Sequence, residues 1–207
     1  MMILTRMEVP GILIFSLGFG LKFFHIPHNA VLMLLGLLCL LLSLVGALMG
    51  GEGAQKRPVS RLSAMLSLAA LLCVIKFFPV HDYILLLAAL AFLWTVYLLV
   101  SKKVKLNGIH YVSVFALALT VFFRFGVDRS DRYFILNLKY SVEQSTDFIT
   151  WDKYSWMLYL DERADESLQA SEKALSIAQR VDADKYWLDL IDGHGVAIRD
   201  KTWERYH

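Results

Sequence analysis

Residues 30–50 carry no charged side chain and are dense in leucine, a run that has few places to fold. A bilayer hydrocarbon layer of about 30 Å needs roughly 20 apolar residues in a helix, and residues 30–50 meet that length. Four further apolar stretches follow the same pattern, at 10–26, 62–80, 83–100 and 109–125. The first is short and holds Gly18 and Gly20; the last contains Ser113, Thr120 and Arg124. In hydrocarbon every backbone polar group must be satisfied within its own segment, so the expected fold is all-α, a polytopic helical bundle. Lys22 and the Phe23-Phe24-His25 run stand where a signal peptidase needs small residues, so the first segment is expected to stay as an anchor.

The charges divide the chain. Of 207 residues with mean hydropathy +0.51, residues 1–126 hold ten Lys/Arg against three Asp/Glu, whereas 127–207 hold eleven against sixteen. The expected organisation is a transmembrane domain at 1–126, an interfacial connecting helix at 127–148 and an acidic soluble helical domain at 149–207. Neither half has the basic face of a nucleic-acid binder, because the early cations sit in short loops and the tail is acidic. Cys39 and Cys73 lie inside apolar runs and are expected to pack as small apolar groups.

Connections between the apolar runs alternate in character. Pro27-His28-Asn29 and His81-Asp82 form very short turns, giving two tight hairpins. The other side collects Arg6, Lys56, Arg57, Arg61, Lys102, Lys103 and Lys105, a positive-inside bias that predicts a cytoplasmic N-terminus in a cell inner membrane. Five spans then leave the tail on the opposite, periplasmic side.

Lys22-Phe23-Phe24 recurs as Lys76-Phe77-Phe78, and Arg124-Phe125 closes the fifth stretch. Each cation sits near the outer end of an apolar helix. One reading is snorkelling, in which the long side chain reaches the headgroups and the phenylalanines anchor the interface. The other is a convergent cationic site for a lipid headgroup or another anion, formed by Lys22, Lys76 and Arg124 with His25 and His81. His25-x-x-His28 spans a turn with proline and only Asp82 adds a carboxylate, so no metal site and no cofactor is expected. Between Pro10 and Phe125 the only acids are Glu52 and Asp82, both in expected loops. Pumps and ion-coupled transporters place an ionisable group inside the bundle, which argues against a proton path here. Metalloprotease, nucleophile-elbow and phosphate-loop motifs are absent from the sequence, so no enzyme is expected.

The segment from Gly18 to Gly46, with Gly20, Lys22, His25, Pro27, Leu32-Met33-Leu34 and Gly36, resembles the N-terminal transmembrane hairpin of the gliding motility protein GldL family. The shared pattern is a glycine-containing helix ending in Phe-Lys-x-x-His-x-Pro, with Leu21 here in place of its first phenylalanine. The resemblance implies an inner-membrane protein in or near motility or type IX secretion machinery. It also leads one to expect a glutamate in the second helix, where this chain reads Leu37-Leu38-Cys39-Leu40-Leu41-Leu42. A shared hairpin without the acid implies the design without the proton-driven motor.

In the tail, Tyr133, Phe134, Ile135, Leu138 and Val142 have helix-like spacing, consistent with an interfacial helix. Trp151, Tyr154, Leu158 and Tyr159 then share a face of one helix, and Leu168, Ala174, Leu175 and Ala178 belong to a second that opens after Arg163-Ala164. Residues 149–180 resemble a single tetratricopeptide repeat, with Trp151, Tyr159, Ser167 and Ala174 at its aromatic and small positions. One repeat cannot bury its own face, so the final segment, with Trp187, Ile191, Ile198 and Trp203, is expected to cap it or a protein partner to cover it. Gly193-His194-Gly195 is expected to break that segment at a turn. These features point to a non-enzymatic membrane scaffold with a protein-interaction module. The alternative is a transport or channel component whose outer cations attract an anionic substrate.

Overall fold

In a computed structural model the described residues are 6–24, 26, 28–49, 58–139 and 147–203. Nine helices lie among them: α1 (Glu8–Phe23), α2 (Asn29–Leu48), α3 (Pro58–Ile75), α4 (His81–Val100), α5 (Gly108–Phe125), α6 (Arg129–Asn137), α7 (Asp147–Leu160), α8 (Ala164–Arg180) and α9 (Lys185–Arg199). The described residues contain no strand. The chain forms two compact units, the first of Met1–Lys22 and Ile26–Gly126 and the second of Val127–His207 with Phe23–His25.

In the first unit α3 is the central element, packing on α2, α4 and α5. Its inner positions are small: Ser60, Ser63, Ala64, Ser67 and Ala70 are all 2% exposed or less. Small residues let helix backbones approach where no hydrophobic drive separates lipid from protein. Several hydroxyls inside the bundle donate back to their own helices, as Ser67 does to the Ser63 carbonyl (2.7 Å) and Thr120 to that of Ala116 (2.7 Å). α4 is the opposite case, with Leu86, Leu87, Leu90, Leu93 and Trp94 more than half exposed. An apolar helix with so little buried surface is stable only against an apolar solvent.

Four helices, α2 to α5, are long and apolar enough to cross a membrane. The stretch at 109–125, the most polar of the expected spans, belongs to this set. The stretch at 10–26 does not: α1 has 16 residues, or about 24 Å of helix. α1 packs against α2 through glycines. A Cβ on Gly36 would lie 2.7 Å from the Gly11 carbonyl oxygen and 2.7 Å from the Phe15 nitrogen, and one on Gly18 would lie 2.8 Å from the Asn29 oxygen.

Several local expectations need correction. The stretch expected at 62–80 ends as helix at Ile75, because Phe77 turns into the left-handed region (φ 58°) and reverses the chain. His81 and Asp82 are the first residues of α4 and not a loop. Arg61 lies in α3 with 7% exposure, not in a cytoplasmic loop. Within 127–148 the helix is not continuous: α6 covers Arg129–Asn137, residues 147 and 148 already belong to α7, and residues 140–146, including Val142, lie outside the described residues.

The second unit is a layered series in which α6 packs on α7, α7 on α8 and α8 on α9. Its core joins Phe148, Ala174, Ile177, Ala178 and Ile191. Gly193-His194-Gly195 does not break the last segment but lies within α9. Packing overrides the weak helix propensity of glycine here: Gly195 is buried, and a Cβ on it would already touch the Ser171 hydroxyl at 3.4 Å.

Candidate functional site

The cations at the end where α1, α3 and α5 finish separate into two groups. Lys22, in the last turn of α1, is 7% exposed and feels the charge of Lys76 just beyond α3. The Lys76 ammonium donates to Asn29 Oδ1 (3.0 Å), and the Asn29 amide donates to the Ile26 carbonyl (2.7 Å), so this lysine holds the α1–α2 turn. Arg124 forks onto Asp82, with Nε at 3.0 Å and Nη2 at 3.4 Å from its two oxygens. His81 Nε2 stands 3.2 Å from the same carboxylate, and its Nδ1 is 2.7 Å from the Phe78 carbonyl. Asp82 was legible as an acid but not as the partner of Arg124, 42 residues away in sequence. His25 lies outside the described residues. Among the described residues no three His, Cys, Asp or Glu side chains group as metal ligands.

A second polar group, at the end where α1, α3 and α5 begin, escaped the sequence reading. Arg61 donates to Glu8 Oε2 (2.9 Å) and to the Ser43 carbonyl (3.4 Å). Beside it Ser60 Oγ and His110 Nε2 are 3.0 Å apart in a buried contact, and the Asn107 backbone N–H donates to His110 Nδ1 (3.1 Å). Glu8, the only acid before the first apolar run, was the available signal.

Of the six packing residues named for the second unit, Trp151, Tyr154, Tyr159 and Trp187 are half-buried. Ala174 is fully buried and Leu168 half-buried. Trp151 and Trp187 pack against the core, Trp187 edge-on to Phe148 at 5.7 Å. Trp151 meets Tyr154 edge-on at 5.8 Å, and the Lys173 ammonium lies 3.8 Å from its ring centre. Tyr159 joins Trp156 and Trp203 in an aromatic cluster. His194 stacks on Trp203 at 4.6 Å while its Nδ1 pairs with Asp152 Oδ1 at 2.8 Å, so it ties α9 to α7. Ser167 donates to the Ser155 carbonyl (2.8 Å), which draws α8 onto α7.

Arg163 is a hub in the turn before α8. It donates to Asp131 (2.8 Å), to the Ser130 hydroxyl (3.1 Å) and to both oxygens of Glu166 (2.8 and 2.5 Å). Those hydrogen bonds hold the Glu166 carboxyl below the usual glutamate range. Ser130 in turn donates its backbone N–H to Asp161 (2.7 Å), which fastens α6 to the same turn.

Burial, with the nearby charge of Asp152, pushes the Tyr133 phenol well above its ordinary value. The unfolded chain ionises this group near pH 10 while the folded chain keeps it neutral. Stability is therefore full below pH 10 and falls above it, by up to about 1.4 kcal/mol per pH unit. In alkaline denaturation of the full chain, Tyr133→Phe should give a shallower loss between pH 10 and 11 than wild type. Parallel slopes would contradict the assignment.

The architecture defines a class: an all-helical protein with four helices able to cross a membrane and a second helical unit rich in acidic residues. No family model, curated protein or solved structure matches this chain.

Proposed function

We propose that this protein is an integral inner-membrane scaffold or assembly component that holds an acidic helical module for another protein to engage. The supporting observation is where the first unit's charges go. Its described carboxylates, Glu8 and Asp82, are bound to Arg61 and Arg124 at opposite ends of the helices, and Lys76 is engaged with Asn29. Charges committed to holding helix ends are poorly suited to attract and release a substrate, so the transport reading is the weaker one.

In this reading α1 crosses as a fifth span, its short length met by local thinning and by Phe24 at the interface. The N-terminus is then cytoplasmic and the second unit periplasmic. The order α7–α8–α9 suits a tetratricopeptide-like pair with α9 in the position of a following repeat. The hairpin's resemblance to the GldL family suggests a place near gliding or type IX secretion machinery.

Two full-length variants test the proposal. Gln169→Cys, on an exposed position of α8, should react with a membrane-impermeant maleimide in intact spheroplasts. Labelling only after lysis would overturn the topology. Replacing Lys22, Lys76 and Arg124 by glutamine should leave co-purification of the partner from native membranes within about twofold, whereas removal of 149–207 should abolish it. Loss on the triple replacement with retention on the deletion would favour transport.

A further inference from the structure

Two cavities lie on one seam of the first unit. The polar one, about 240 Å³, opens between Glu8, Ser60, Arg61 and Asn107. The apolar one, about 280 Å³, lies between α1, α3 and α5 and is lined by Ile12, Phe15, Phe19, Leu68, Val112 and Ala116 among others. Helical spacing places them in line along the same helix faces. On α1, Glu8 lines the first while Ile12, Phe15 and Phe19 line the second, at offsets of four, seven and eleven along a single face. Arg61 and Leu68 on α3 stand two turns apart, as do Ile109 and Ala116 on α5. All three helices begin at the polar cavity.

We infer that this seam binds one phospholipid, with the headgroup in the polar cavity and one acyl chain along the apolar groove between α1 and α5. A groove from Ile12 to Phe19 runs about 10 Å, a third of the hydrocarbon layer, and lies on helices that meet lipid. Polarity changes along it in the order of a phospholipid. The headgroup is specified by charge. The Arg61–Glu8 pair stays closed (2.9 Å) and sets both signs side by side at the cavity, with the Glu8 carboxylate (24% side-chain exposure) more open than the Arg61 guanidinium (8%), so a second negative charge is repelled and a headgroup carrying both signs can lie along the pair. A zwitterionic ethanolamine headgroup satisfies both signs; an anionic glycerol headgroup satisfies one.

The test uses the full chain in mild detergent, offered equal amounts of palmitoyl-oleoyl phosphatidylethanolamine and phosphatidylglycerol, with native mass spectrometry as the readout. One ethanolamine lipid per chain should be retained. Ser16→Trp, at an exposed position lining the groove, should retain at least tenfold less, and Leu90→Trp, on the lipid-facing side of α4, as much as wild type. Glu8→Gln should bind the glycerol lipid as well as the ethanolamine lipid. Glycerophosphoethanolamine, which has no acyl chain, should give no adduct. The inference fails if Ser16→Trp keeps its lipid, if the chainless headgroup binds, or if wild type prefers the glycerol lipid. It fails too if Ser16→Trp changes only the dimer fraction, since the groove then seats a second copy of the chain.

Discussion

Gly36→Ala should destabilise the first unit strongly. The added Cβ meets two backbone atoms of α1, the Gly11 oxygen and the Phe15 nitrogen, both at 2.7 Å. Neither is the end of a flexible side chain, so relief requires α1 to move away from α2. Overpacking of this kind costs typically about 1–3 kcal/mol, and a clash with backbone on both sides belongs at the upper end. Gly20 supplies the control. It stands two residues from Gly18 on the same helix, yet a Cβ there has nothing within 4 Å. Gly20→Ala should therefore stabilise, by about 0.5–1 kcal/mol from helix propensity alone. Thermal unfolding of the full chain in detergent, followed by circular dichroism, should move in opposite directions for the two variants. A Gly36→Ala midpoint at or above that of Gly20→Ala would exclude the close α1–α2 crossing.

The same glycines mark the limit of what the residue order reveals. The apolar runs announce α2, α4 and α5 because length and hydropathy are local properties, and the hairpin turns are legible because so few residues join the runs. Which glycine faces a neighbour is not local. Gly18 and Gly20 look alike in sequence, and only packing separates the one that meets Asn29 from the one that meets nothing. Gly11 and Gly18, seven residues apart, carry the usable signal of a single helix face. Arg61 is similar: three residues after Pro58 and among other cations it reads as loop, whereas Glu8, 53 residues away, makes its burial in α3 tolerable. In the second unit the aromatic and small positions of α7 and α8 follow from helical spacing. The continuity of α9 through Gly193-His194-Gly195 does not, because it depends on Asp152 and Trp203, which grip His194 from elsewhere in the chain.

Ile191→Ala tests whether α9 is part of the second unit's core or a detachable cover. Ile191 is 1% exposed and joins α9 to Phe148 of α7 and to Ala174, Ile177 and Ala178 of α8. The surrounding positions are small or already engaged, so the site has little with which to refill the space. Truncating a buried isoleucine to alanine costs about 2–5 kcal/mol, and limited collapse favours the upper half of that range. Tryptophan fluorescence can report this in the intact protein, since Trp151, Trp156, Trp187 and Trp203 belong to the second unit and only Trp94 to the first. In urea titrations of the full chain, the variant should lose the second unit's fluorescence transition at distinctly lower denaturant, with a slope like that of wild type. Val196→Ala, on the exposed side of the same helix, should leave the midpoint nearly unchanged. If both variants unfold with wild type, α9 contributes no core, and the α7–α8 pair must then be covered by something other than this chain.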